Sequence, residues 1–302
     1  MSGNKYLIVI AGPTAVGKTA VAIEVANYFN TDIVSADSRQ MFKEMNIGTA
    51  KPSFEQLRAV KHHFINSHHI IQPMNMGLYE IEALPLLASL FEKNNYLVLA
   101  GGTGLYIDAV LYGVDDLPQA DAALREERVL QLKEKGIEYF ASILKTVDET
   151  TYSAIDIKNP RRVLRALEVF ELTGQPYSTF LNKNKTKRNF IPLLFCLDKK
   201  REVLYSDIDK RVDSMILEGL EEEVKSLIPY RQHNGLQTVG YKEFFDFFDG
   251  QQSYEETIAL IKKNTRNYAK RQLTWFRRYE DMHWIESNTS TAEVILNKIP
   301  AD

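Results

Sequence analysis

One cysteine, Cys196, stands in the whole 302-residue chain, which excludes an internal disulfide and any zinc site built from cysteines. It lies in the apolar run Leu193–Leu197 and reads as a small core side chain. No apolar run approaches the length of a membrane span, so no membrane partner is expected. No signal peptide precedes the first apolar run, which points to the reducing cytoplasm. Charge of one sign is also lacking. The net charge is −3, with 37 basic against 40 acidic residues, so any nucleic-acid surface must be local. Internal repeats and low-complexity tracts are missing too. What remains is an ordinary globular composition, 44% hydrophobic and 25% charged. The length suits one large domain, or one domain with an insertion, and a monomer is the default expectation.

The most informative stretch is Gly12-Pro13-Thr14-Ala15-Val16-Gly17-Lys18-Thr19, a complete phosphate-binding loop. The run Tyr6–Ile10 before it reads as a buried strand, and Ala22, Val25, Ala26 and Phe29 after it recur at helical spacing. Strand, glycine loop and helix form the setting the motif requires. The loop glycines let backbone N–H groups turn onto an anion, and the helix N-terminus reinforces them. Lys18 adds a charge, and the Thr19 hydroxyl is placed to hold Mg²⁺. The motif specifies a phosphorylated ligand, nucleotides such as ATP among the candidates. It does not choose between kinase, ATPase, switch and transferase.

Strand-like and helical stretches alternate over residues 1–112 and resume at 190–302, predicting an α/β fold with a P-loop NTPase-like parallel-sheet core. Asp32–Ala36 reads as a short strand delivering Asp37-Ser38-Arg39-Gln40 at its carboxyl end, where ligands of open parallel sheets bind. Tyr96–Ala100 is a further strand, running into Gly101-Gly102-Thr103-Gly104, where glycines permit close approach of a ligand or a neighbouring strand. Strand-like runs vanish over 113–189, which predicts a helical insertion domain. A charged helix begins near Leu124-Arg125 and is expected to stop near Gly136. A second starts at Asn159-Pro160, carries the stripe Val163, Leu167, Phe170, and ends at Thr173-Gly174-Gln175-Pro176. A basic stretch, Lys183–Arg188, follows, then a strand over 190–198 and a mainly helical remainder. Residues 254–279 form one long helix, with Ile258, Ile261, Tyr268 and Trp275 on one side and Lys262, Arg266, Lys270 and Arg277 on another. No acidic residue interrupts 262–278, and Trp275 and Phe276 lie within that basic run, a pattern that favours RNA binding.

Position makes Asp37 a candidate Mg²⁺ ligand or general base, against a turn or helix cap as the plain structural alternative. A strand ending in a metal-holding aspartate is not clear-cut: Leu97–Ala100 ends in glycines, and Leu194–Leu197 leads to Asp198 only after the insertion. Asn182-Lys183-Asn184-Lys185 lacks the aspartate of a guanine-recognition motif, which argues against a GTPase switch. His62, His63, His68 and His69 cluster without a cysteine or acidic partner among them, which disfavours a zinc site. Arg211, in Asp209-Lys210-Arg211-Val212-Asp213, reads on its own as a partner for Asp207 one helical turn back.

The order of motifs resembles one family over nearly the whole chain. The phosphate loop is followed by Asp37-Ser38-Arg39-Gln40-Met41-Phe42, Ile47-Gly48-Thr49-Ala50-Lys51-Pro52 and Gly101-Gly102-Thr103-Gly104-Leu105-Tyr106. Asn159-Pro160-Arg161-Arg162, Val239-Gly240-Tyr241-Lys242 and Lys270-Arg271-Gln272-Leu273-Thr274-Trp275 complete the series. The chain looks like a bacterial-type tRNA dimethylallyltransferase, also called tRNA isopentenyltransferase. The resemblance implies transfer of a dimethylallyl group from dimethylallyl diphosphate to N6 of adenosine-37, beside the tRNA anticodon, with Mg²⁺ and without a need to consume ATP. It implies that the phosphate loop, residues 12–19, holds the donor's diphosphate, that Asp37 is the base, and that Lys18, Thr19 and Arg211 stabilise the leaving group. It implies tRNA contacts at Asp37, Ser38, Arg39 and Gln40, at Arg161, Arg162, Val163, Leu164 and Arg165, and near the flipped base at Thr103 and Arg125. Further contacts are implied at Gln237, Thr238, Val239, Gly240, Tyr241 and Lys242, and at Lys270, Arg271, Gln272, Leu273, Thr274, Trp275, Phe276 and Arg277. Three rivals share the phosphate loop: an adenylate isopentenyltransferase acting on free nucleotide, a small-molecule kinase, and a nucleotide-gated RNA-binding protein. The helical insertion and the basic helix are superfluous for a mononucleotide but suit an anticodon stem-loop.

Overall fold

The first apolar run is strand β1 (Tyr6–Ala11), and the loop after it opens helix α1 (Lys18–Tyr28). The chain then forms β2 (Ile33–Ser35), α2 (Phe54–Ala59), β3 (His62–His63), α3 (Met76–Leu90), β4 (Tyr96–Ala100) and α4 (Gly104–Tyr112). A helical segment follows, with α5 (Ala122–Val147), α6 (Glu149–Ala154), α7 (Pro160–Thr173) and α8 (Tyr177–Phe180). The chain closes with β5 (Ile191–Asp198), α9 (Arg201–Leu217), α10 (Leu220–Ser226), α11 (Tyr241–Phe248), α12 (Tyr254–Phe276), β6 (His283–Glu286) and α13 (Thr291–Leu296). This computed structural model describes residues 3–119, 121–181 and 186–300. Residues 182–185, on which the guanine-motif comparison and the start of the basic stretch fall, lie outside the described residues.

Among the described residues six strands form one sheet in the order β3-β2-β4-β1-β5-β6, with every pairing parallel. Both faces of that sheet are buried, as parallel sheets require. Period-two alternation divides the strands between two cores. Leu7, Val9, Val34, Leu97, Leu99, Leu194 and Cys196 enter one, while Ile8, Ile10, Ile33, Val98, Phe195 and Leu197 enter the other. Cys196 is fully buried, and that burial pushes its thiol up to about 12, so it packs as a hydrophobe. The two short strands β3 and β6 extend the sheet at its edges, and neither is foreshadowed by an apolar run.

The chain separates into two units, Met1–Tyr112 with Lys187–Asp302, and Gly113–Thr186. The second ends three residues earlier than the 189 read from composition. Arg188 belongs with the first unit because its guanidinium donates to the carbonyls of Val110 and Ala109 and to Glu80. Within Gly113–Thr186, the stop expected at Gly136 is only a break. Gly136 leaves helical geometry at φ 75°, ψ 169°, and the helix resumes because Ile137, Phe140 and Leu144 present an apolar face to Val163, Ala166 and Leu167 of α7. Helix α7 starts and stops where its punctuation indicates, with proline at its first turn and Gly174 in the left-handed region at φ 69°.

Candidate active site

The carboxyl ends of β1, β4 and β2 lie side by side, and each ends in a loop that packs against the next. A glycine is required where these loops approach. A Cβ on Gly101 would lie 2.2 Å from the Ala36 carbonyl oxygen, and one on Gly102 would lie 2.2 Å from Nε2 of Gln272. Thr103 completes the junction: its N–H donates to the Ala36 carbonyl at 3.1 Å, and its Oγ1 accepts from the Ser38 N–H at 3.0 Å. Asp37 is thereby held between two anchored neighbours. Its Oδ1 accepts from the N–H groups of Arg39 at 2.8 Å and Gln40 at 3.2 Å, while Oδ2 takes no hydrogen bond among the described residues. The turn-cap reading and the functional reading of Asp37 are therefore compatible, one for each oxygen.

These loops enclose a cavity of about 600 Å³ lined by Thr14, Lys18, Thr19, Asp37, Arg39, Gln40, Lys51, Arg211, Thr238, Val239, Tyr268 and Gln272, among others. Lys18 Nζ donates to the Pro13 carbonyl at 2.7 Å. Burial pushes its ammonium down to about 8; Asp37 opposes that shift and Arg211 adds to it. Arg211 does not make the ion pair its sequence neighbours suggest, because Asp207 takes Lys199 at 2.8 Å. Its Nη1 instead points to Thr14 Oγ1 at 3.4 Å, beside the phosphate loop. Burial lowers the Arg39 guanidinium from its usual range, with Asp37 the leading opposing influence. Thr19 lines the cavity, and its Oγ1 has no hydrogen-bond partner among the described residues.

One wall was legible as a motif but not as a site. Gln40 Nε2 donates to the carbonyls of Thr49 and Ala50, both at 3.1 Å. Lys51 Nζ donates to Phe42 O, Asn46 Oδ1 and Asn66 Oδ1, and its burial pushes it down to about 8. Behind that wall Glu223 accepts from the N–H groups of Asn46, Ile47 and Gly48 and from the Tyr241 hydroxyl at 2.6 Å. No local sequence signal marks Glu223, whose partners lie 18 to 177 residues away.

The residues implied as tRNA contacts fall into two groups. Arg161, Arg162, Gln237, Lys242, Lys270, Arg271, Thr274 and Arg277 are exposed. Val163, Tyr241 and Phe276 are core side chains with no exposed surface, so their side chains have nothing to offer RNA. Gln272 is also buried, and it spends its amide on the backbone of Thr14 and Gly102. Gly240 is buried backbone at φ 93°, its N–H donating to Glu243. Leu164, Leu273 and Trp275 are half-buried, and Arg278 stacks its guanidinium over the Trp275 ring at 4.3 Å. Arg125 and Arg165 both pair with the buried carboxylate of Glu168, at 3.1 and 3.0 Å, and Arg165 also donates to Pro118 O. On α12, Lys262 and Arg266 pair with Asp213 and Asp209 of α9, while Lys263, Lys270 and Arg271, with Arg277 just past its end, are exposed.

Three of the four clustered histidines take a carboxylate from elsewhere in the chain, and His62 takes a local carbonyl. His63 meets Asp32 at 2.8 Å, His68 meets Glu82 at 3.1 Å, His69 meets Glu44 at 2.8 Å, and His62 bonds the Val60 carbonyl. No group of three or more metal-ligating side chains occurs among the described residues. No helix there is long and apolar enough to cross a membrane.

A glycine-rich loop after β1, a carboxylate after β2 and an arginine from α9 line one cavity of an α/β enzyme with a P-loop-like fold. The sequence profile of the family described as IPP transferase matches residues 40–279, and the chain belongs to that prenyltransferase family. A relative from Cytophaga hutchinsonii, named tRNA dimethylallyltransferase, is 48% identical over 288 residues, spanning 95% of each chain. One of the same name from Flavobacterium johnsoniae is 48% identical over 297 residues, spanning 96% of each. The solved structure of the full-length tRNA isopentenylpyrophosphate transferase from Bacillus halodurans is similar at a TM-score of 0.70 and 35% identity, covering 97% of this chain and 94% of that one. A eukaryotic dimethylallyltransferase acting on tRNA is similar at a TM-score of 0.77 and 26% identity, covering 95% and 75%.

Proposed function

We propose that this chain transfers a dimethylallyl group from dimethylallyl diphosphate to N6 of adenosine-37 in tRNA, beside the anticodon. The observation that carries the reading is the single cavity that joins the phosphate loop to Asp37. One end is cationic and suits a leaving diphosphate; the other holds a carboxylate with a free oxygen and suits the incoming amine. Family membership supports the choice of donor and acceptor.

The adenine N6 lone pair is delocalised into the ring, so the amine is a weak nucleophile until its proton is removed. N6 attacks the allylic carbon, the carbon–oxygen bond to diphosphate breaks with its electron pair leaving on oxygen, and Asp37 accepts the N6 proton. A positioned base of this kind contributes about 10²–10⁴-fold. Lys18, Arg211 and the loop N–H groups receive the developing negative charge. Thr19 fits Mg²⁺, since its hydroxyl is unpartnered and a hard cation takes one or two protein oxygens together with phosphate oxygens. When bound, Mg²⁺ would neutralise charge on the diphosphate. Dimethylallyl diphosphate, rather than ATP, is the phosphorylated ligand this scheme needs.

The adenosine must leave its stack to reach Asp37, at a cost of a few kcal/mol, less in a loop than in a duplex. Exposed Arg161 and Arg162 on α7, Lys242 on α11, Lys270 and Arg271 on α12, and Arg277 at its C-cap supply phosphate contacts that the net charge does not. Ser38, Gln40, Thr103, Thr238 and Val239 stand at or beside the cavity as neighbours for the flipped base. Incubation with labelled dimethylallyl diphosphate and Mg²⁺, offering unmodified tRNA or AMP and ATP, tests the reading. Label is expected in tRNA. Label in free nucleotide would move the chain to the adenylate-modifying reading, and label in neither would return it to the kinase reading.

A further inference from the structure

We propose, building on that transferase reading, that Gln272 is a positioning residue that holds the phosphate loop in register with the Asp37 loop. Its Oε1 accepts from the Thr14 N–H at 2.9 Å, and its Nε2 donates to the Gly102 carbonyl at 2.9 Å. The residue after Gly102 is Thr103, which is bonded to both Ala36 and Ser38, the neighbours of Asp37. Hydrogen bonds joined through the Gly102–Thr103 peptide therefore lead from the loop that holds the leaving group to the segment that carries the base.

Several features fit this role. Gln272 is 6% exposed, so water does not compete for its amide. It stands on the 23-residue helix α12, anchored by fully buried Ala269 and Phe276 on the same face. Gly102 leaves the space the amide occupies, since a Cβ there would meet Nε2 at 2.2 Å. The position needs an acceptor and a donor on one planar group at fixed separation, which an amide supplies and a carboxylate does not. Lys270, Arg271 and Thr274 on the same helix remain outward, so inward and outward residues of α12 have different tasks.

Transfer requires the carbon–oxygen bond, the attacking amine and the base to be aligned, and a misplacement of about 1 Å costs on the order of 10²-fold. Substituting Gln272 should therefore reduce chemistry more than binding, because Lys18 and Arg211 still hold the diphosphate. The test uses the full chain with Gln272→Met, which removes both hydrogen bonds, and Gln272→Glu, which keeps the acceptor for Thr14 and sets a lone pair against Gly102. Pyrophosphate binding by calorimetry, tRNA binding, and single-turnover transfer are measured on each. The expected result is one pyrophosphate site per chain, tRNA affinity within about threefold of wild type, and a single-turnover rate lower by roughly 100-fold. A merely structural role would lower the binding-competent fraction and the rate together, and that result overturns the proposal. So does a rate within about threefold of wild type in either variant that binds pyrophosphate. If only Gln272→Met binds none, Gln272→Glu decides; loss of binding in both variants overturns the proposal. A wild type that transfers nothing overturns the transferase reading and this role with it, whereas an active wild type with an active variant overturns this role alone.

Discussion

Alanine at Gly101 would put one methyl group where the structure has no room. The added Cβ would lie 2.2 Å from the Ala36 carbonyl oxygen, 2.4 Å from its carbonyl carbon and 2.8 Å from its Cα. All three are backbone atoms of the segment that delivers Asp37, so no side chain can turn aside. A carbon–oxygen contact relaxes near ~3.3 Å, which requires the two strand ends to part by about 1 Å. Gly101 lies outside the left-handed region, so the penalty is steric alone. Overpacking of this size costs roughly 1–3 kcal/mol of stability. The same displacement moves Asp37 relative to the phosphate loop and should lower single-turnover transfer about 100-fold. Pyrophosphate binding should survive, since Lys18 and Arg211 lie on other elements. Gly174→Ala is the control: it sits at φ 69° with nothing within 4 Å of a new Cβ, so it should cost about 1 kcal/mol through backbone strain and leave turnover intact. A Gly101→Ala enzyme with wild-type melting temperature and wild-type single-turnover rate would refute the reasoning.

Three other outcomes follow from the site. Lys18 binds anions as the ammonium and is pushed down to about 8, so pyrophosphate affinity should hold below that pH and weaken above it, while Lys18→Arg should not show the weakening in a calorimetric pH series. Arg211→Ala should weaken pyrophosphate binding by about 10- to 100-fold, the worth of a hydrogen bond to a charged group, with turnover falling as well; unchanged affinity would remove Arg211 from the site. Neutralising Lys270, Arg271 and Arg277 together should reduce the salt dependence of tRNA binding by a log–log slope of about 2, whereas neutralising Lys262 and Arg266, already paired with Asp213 and Asp209, should change it less.

Much of the fold was legible because its signals are local. The strand–loop–helix around residues 12–19, the strand before Asp37, and the start and stop of α7 each rest on neighbours a few residues apart. Edge strands β3 and β6 were not legible, because two or four residues pairing on one side need no apolar run. The break at Gly136 was visible, but the resumption beyond it depends on Val163 and Leu167 packing against Phe140 and Leu144. Motif membership also says nothing about which way a side chain faces. Val163, Tyr241 and Phe276 lie in motifs implied to touch RNA, yet they turn into the core. Conversely, the Arg211 contact with Thr14, the Glu223 cradle beneath Lys51 and the Gln272 bridge join residues roughly 170 to 260 positions apart, which only the folded sheet brings together.

The most direct test of the chemistry compares wild type with Asp37→Asn in single-turnover transfer from dimethylallyl diphosphate to unmodified tRNA, with pyrophosphate binding measured beside it. The amide still accepts from the N–H groups of Arg39 and Gln40 and so preserves the turn, but it cannot take up the N6 proton. The account predicts retained pyrophosphate binding and a rate lower by about 10²–10⁴-fold. A near wild-type rate in Asp37→Asn would contradict it.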